Sequence, residues 1–162
     1  MTIFRQLEAR DFGSVATIVT TDFVALYAYR RGDYQQCLQL STQNVHTLLY
    51  ADNIVRILTF PEFIQLLDDD IVSLTALTLL VDPGCRNNLL YLTATQVTLS
   101  LYLMTQCQLK LRLRHSVMSL AQTLDYIKVA HRRHPVDCIL DRLILKMIAR
   151  KALTYVTTQT LM

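Results

Sequence analysis

The chain has 162 residues, 52% of them hydrophobic, with 3 Gly, 3 Pro and a net charge of +3. That length supports one domain with a real core, and so few turn-forming residues favour long helices over many short strands. With glycine only at Gly13, Gly32 and Gly84, a Gly-rich phosphate loop is excluded. The charge is unevenly placed. Residues 1–84 carry five Lys/Arg against ten Asp/Glu, and residues 85–162 carry eleven against three. An acidic half followed by a basic half implies internal complementarity or a basic surface for an acidic partner. Residues 1–12 hold Arg5, Glu8, Arg10 and Asp11, with no apolar stretch long enough for secretion, so a cytoplasmic location is expected. The four cysteines (Cys37, Cys85, Cys107 and Cys138) are widely spaced and read as reduced, buried thiols.

In chain order, residues 3–12 read as a short helix or as the tail of one belonging to a longer protein. Ser14 is an expected N-cap for a helix running to Arg31. Gly32 can take the positive φ that ends that helix, and Asp33 is expected to cap a second helix reaching about Tyr50. Small residues at Ala25, Ala28, Cys37 and Ser41 would let the two backbones approach closely. The positions Thr21, Val24, Ala25, Ala28, Gly32, Tyr34, Cys37, Ser41 and Asn44, aligned on the Gly32-Asp33-Tyr34 turn, resemble one tetratricopeptide repeat. Ala25, Gly32, Tyr34 and Cys37 carry the resemblance. Thr21, Ala28 and Ser41 stand where bulkier residues are usual, and Asn44 replaces a final Ala. The resemblance implies antiparallel helix pairs stacked as a short solenoid, with a protein-binding groove lined by the first helix of each pair.

Residues 51–60 suit a helical turn or a short strand equally well. Pro61 fits the first position of a helix continuing to about Val81, where Pro83-Gly84 stops it. The run Asp68-Asp69-Asp70 inside it reads as a solvated helix face. Three consecutive helical positions diverge, so they suit a metal poorly. Leu89 to Leu109 has no charged residue in 21 positions, but 8 of them are Thr, Ser or Gln, which argues for a buried helix and against a membrane span. Two further helices are expected over about 116–132 and 136–157, the second opened by Pro135. His131, His134 and Cys138 have metal-like spacing, with Cys107 as a fourth candidate, but nothing forces them to converge. No H-E-x-x-H occurs, and no Cys–His pairing is indicated.

Arg142, Lys146 and Arg150 fall at i, i+4 and i+8 and form one basic stripe. It reads as a solvent face or as a site for acidic side chains or phosphates. The reading is therefore an all-α fold of hairpins over about 14–50, 61–110 and 116–157. The expected function is non-enzymatic protein–protein interaction with an acidic partner, without cofactor or metal. Two alternatives stay open. One is the helical terminal portion of a larger signalling or nucleotide-processing enzyme. The other is a basic nucleic-acid-binding domain, which the scarcity of interleaved aromatics disfavours.

Overall fold

The computed structural model describes residues 2–50, 68–81, 94–111, 116–133 and 139–160. Six helices lie within them: α1 (Thr2–Arg31), α2 (Tyr34–Tyr50), α3 (Asp69–Val81), α4 (Gln96–Leu111), α5 (Ser116–Arg133) and α6 (Ile139–Thr160). The fold is all-α. The expected elements at 51–60 and 61–67, the Pro83-Gly84 stop, and His134, Pro135 and Cys138 lie outside the described residues.

α1 is one helix through Gly13 and Ser14, so Ser14 is not a cap and residues 3–12 are not a separate element. A Gly costs a helix only about 1 kcal/mol relative to Ala, too little to break one. The end of α1 is where the sequence places it. Gly32 has φ +84°, its N–H donates to the Tyr29 carbonyl at 3.0 Å, and the Asp33 N–H donates to the Ala28 carbonyl at 2.9 Å. Those two bonds satisfy carbonyls that a helix end leaves open. Asp33 then caps α2, its Oδ1 accepting from the Gln36 N–H at 3.3 Å. Ala25, Ala28, Cys37 and Ser41 are all fully buried in the α1–α2 hairpin. Asn44 of α2 donates through Nδ2 to the Ile18 carbonyl of α1 at 3.0 Å.

α4 is the centre of the molecule. Every residue from Gln96 to Gln108 is buried, and the helix packs against α1, α2, α5 and α6. The hairpins α1–α2 and α5–α6 both rest on it, and α2 also touches α5. Leu99, Leu101, Tyr102 and Leu103 are among its most buried apolar side chains. Each fully buried side chain of this size contributes about 1.5–3 kcal/mol relative to an exposed one. The helix begins at Gln96 rather than at residue 89. Ala94 and Thr95 precede it, and Thr95 is its cap, Oγ1 accepting from the Thr98 N–H at 3.4 Å. α3 packs against α6. Among the described residues, no helix is long and apolar enough to cross a membrane.

Candidate functional site

Several polar residues in and just before α4 tie it to its surroundings. Ser100 Oγ donates to Asp22 Oδ1 of α1 at 2.7 Å. Gln106 Nε2 donates to Asp68, just before α3, at 3.2 Å. Gln108 Oε1 accepts from Thr123 of α5 at 2.9 Å. Thr95 donates through its N–H (2.7 Å) and its hydroxyl (3.0 Å) to Asp141 Oδ1 of α6. Buried hydrogen bonds of this kind contribute about 0.5–1.5 kcal/mol each, but breaking one strands its partner at about 1–3 kcal/mol. They fix the register of a helix whose apolar residues alone would let it rotate.

Asp68 is the densest of these points. Its Oδ2 accepts from the hydroxyls of Tyr29 and Tyr102, both at 2.6 Å, and from Gln106. The expected solvated face thus holds for Asp69 and Asp70, which are exposed, but not for Asp68. The physical reason is that two buried phenols require an acceptor, and the residue before α3 is placed to supply it. Burial pushes the Asp68 carboxyl up, but the hydrogen bonds from Tyr102, Tyr29 and Gln106, with Lys110 nearby, outweigh it and hold the group below its ordinary value. The two phenols are pushed up by burial and by their bonds to Asp68. They stay protonated donors.

Cys37 and Cys107 are both fully buried and free, and the Cys37 Sγ lies 3.7 Å from the Ser41 Oγ. The neighbouring Cys37 thiol and burial push the Cys107 thiol up, which leaves it a poor nucleophile. Asp22 is also fully buried, and its Oδ2 has no hydrogen-bond partner among the described residues. Burial raises its carboxyl to about 7, against the pull of Ser100 and the nearby Asn44 amide. The interior is therefore rich in titratable groups, but they face one another inside the packing. Their geometry serves assembly of the helices.

The surface differs. Arg142, Lys146 and Arg150 are all exposed on α6. Lys146 and Arg150 line a groove of about 550 Å³ between α3 and α6, together with Leu74, Leu143, Met147, Lys151 and Thr154. Lys151 is matched to Asp70 of α3 at 2.6 Å. Among the described residues, Arg142, Lys146 and Arg150 make no ion pair. The apolar lining was not visible as a site in the sequence. Leu143 and Met147 stand at i, i+4 beside the cations, but nothing in the α3 sequence assigns Leu74 to α6.

Of the repeat-turn residues, Ala25 and Cys37 pack inside the hairpin. Tyr34 is half-buried, its ring 5.7 Å from that of Tyr29 in an edge-on arrangement and 5.6 Å from the Lys110 ammonium. Of the metal candidates, Cys107 faces Cys37, and His131 lies near the end of α5. Among the described residues, no three His, Cys, Asp or Glu side chains are grouped to hold a metal ion. No protein-family model, curated protein or solved structure matches the chain.

Proposed function

We propose that this chain is a non-enzymatic protein-interaction domain. In this reading it is a short stack of antiparallel helix hairpins of tetratricopeptide-repeat-like type, docking an acidic protein partner on the surface of α6. The observation that carries the reading is the row of exposed cations on α6, without ion pairs among the described residues, beside an apolar groove. The acids Asp22, Asp68 and Asp141 are engaged with neighbouring helices, whereas the cations of α6 face solvent beside an apolar groove. Two features support the stacked-hairpin form. The Gly32 turn has the backbone geometry such a repeat needs, and the hairpins α1–α2 and α5–α6 both lean on α4. Stacks of this kind depend on contacts between neighbouring units.

The test is capture of partners from native extract by the wild-type chain and by the variant Arg142→Glu/Lys146→Glu/Arg150→Glu, at low and high salt. The reversal is expected to abolish capture, and wild-type capture is expected to weaken with salt, because screening limits exposed charges to about 8 Å at physiological ionic strength. The melting midpoint should barely move, since exposed charges contribute about 0–1 kcal/mol. Salt-insensitive capture that survives the reversal would refute the reading.

A further inference from the structure

The groove between α3 and α6 has an apolar floor and a cationic edge. Leu74, Leu143 and Met147 form the floor, each only partly buried by the protein itself. Lys146 and Arg150 form the edge. The third cation, Lys151, is already matched to Asp70, so two positive charges remain unmatched among the described residues. The apolar surface does not stop at the groove. Leu77 and Val81 continue the line of Leu74 at i+3 and i+7, and they are 53% and 81% exposed. On α6, Leu153 stands at i+3 from Arg150 and is 57% exposed.

We propose that this groove seats one acidic amphipathic helix of a partner protein. The partner's apolar face would rest on Leu74, Leu143 and Met147, with its carboxylates against Lys146 and Arg150. The proposal rests on the reading of the chain as a protein-interaction domain and names the partner of that site. Charge complementarity selects the acidic edge, because a cationic or neutral partner would leave Lys146 and Arg150 unmatched. The floor selects a helix with an apolar stripe. A cleft flanked by two helices offers no strand edge to extend, and a docked helix presents side chains at i, i+3, i+4 and i+7 to such a floor. A nucleic acid would neutralise the cations but leave three apolar side chains uncovered. Among the described residues, no aromatic side chain lines the groove to stack a base. A lipid surface calls for clusters of about four to eight cations rather than two in a concave cleft.

The probe is a synthetic, fluorescein-labelled peptide helix of about five turns, with Leu along one face and Glu elsewhere. One control replaces every Glu with Lys, and another replaces every Leu with Ser. Titration by the full chain, followed by anisotropy, is expected to give saturable binding of the Glu/Leu peptide. Each control should bind about tenfold more weakly or worse. Met147→Glu is expected to cost about tenfold and Met147→Leu little. Lys128→Glu, at an exposed position of α5 outside the groove lining, should change affinity less than about threefold. Lys146→Glu, at an exposed position, should weaken binding while leaving helicity intact, and it decides the matter if Met147→Glu fails to fold. Absence of binding by the Glu/Leu peptide overturns the proposal. So does equal binding of the Lys/Leu control, or tighter binding of a labelled polyuridylate that ignores Met147→Glu. Self-association that is lost in Arg150→Glu would assign the groove to a second copy and overturn it as well. If the peptide is indifferent to the groove while extract capture still requires the α6 stripe, the groove proposal fails and the interaction reading stands. If neither responds, both fail.

Discussion

α4 and α6 draw on much the same apolar residues and end in opposite environments. α4 has no charged residue before Lys110 and is buried all round. α6 places Arg142, Lys146 and Arg150 four residues apart and keeps that face in solvent, while Leu140, Ile144, Leu145 and Ile148 are buried. The difference lies in the polar residues. In α4 they are Thr, Ser and Gln, short or uncharged groups that can be desolvated if each finds a partner. In α6 they include the cations Arg142, Lys146, Arg150 and Lys151, for which desolvation without a counter-charge costs several kcal/mol. The type of polar residue decides which helix becomes the axis of the packing and which one offers a surface.

The largest effect should come from giving α4 the character of α6. Leu103 is fully buried, so Leu103→Asp places an unmatched charge among apolar neighbours. The expected loss is at least several kcal/mol, enough to abolish a cooperative thermal transition in circular dichroism. A variant that melted like the wild type would mean that α4 is not the interior helix.

A smaller but more specific effect concerns Asp22, a buried carboxyl whose Oδ2 has no hydrogen-bond partner among the described residues. The Asp22 carboxyl holds its proton to about pH 7 in the folded state, while in the unfolded chain it releases it near 3.8. Between those values the folded state binds more protons, so stability falls as pH rises. Above about pH 7 both states are ionised and the loss is complete. The shift corresponds to about 4 kcal/mol. Asp22→Asn keeps the shape and removes the titration, so it should be close to wild type at pH 4 and clearly more stable at pH 8 in denaturant melts. Identical pH dependence in the two proteins would show that Asp22 is solvated. Asp68 acts with the opposite sign. Its lowered value supplies stability that is lost as pH falls through the acid range.

Tyr102→Phe sharpens the contrast further. It keeps the ring and removes one of the three donors to Asp68. A loss of about 1–2 kcal/mol is expected, with the acid-side loss of stability beginning at a higher pH than in wild type. Unchanged stability would mean that Tyr29 and Gln106 suffice for Asp68. The smallest effect of the set should be the charge reversal on α6, whose cost to folding is expected to lie within about 1 kcal/mol.

Some of this was legible because it is local. Gly32 between two amphipathic runs sets a helix end through its own backbone, and Asp33 caps through a side chain three residues from its partner. The α6 stripe follows from spacing alone. The polar residues of Leu89 to Leu109 argued for a buried helix, and Gln96–Leu111 forms one, but they could not say which partners they would meet. Ser14 misled for an equally local reason: a good cap residue does not start a helix when the preceding residues are themselves helical. The candidate groove was half legible, since its α6 wall is periodic while its α3 wall is contributed by a segment about seventy residues earlier.

By itself, the sequence determined the all-α class, the Gly32 turn and the cationic face of α6, because each depends on residues within one or two helical turns of one another. Only the tertiary structure decided that α4 is the axis. It also decided that Asp68 leaves its acidic run to accept from Tyr29 and Tyr102, and that α3 lies against α6. Those outcomes join residues 34 to 81 positions apart. No local preference encodes them. They follow from which arrangement buries the apolar faces while leaving the fewest polar groups without partners.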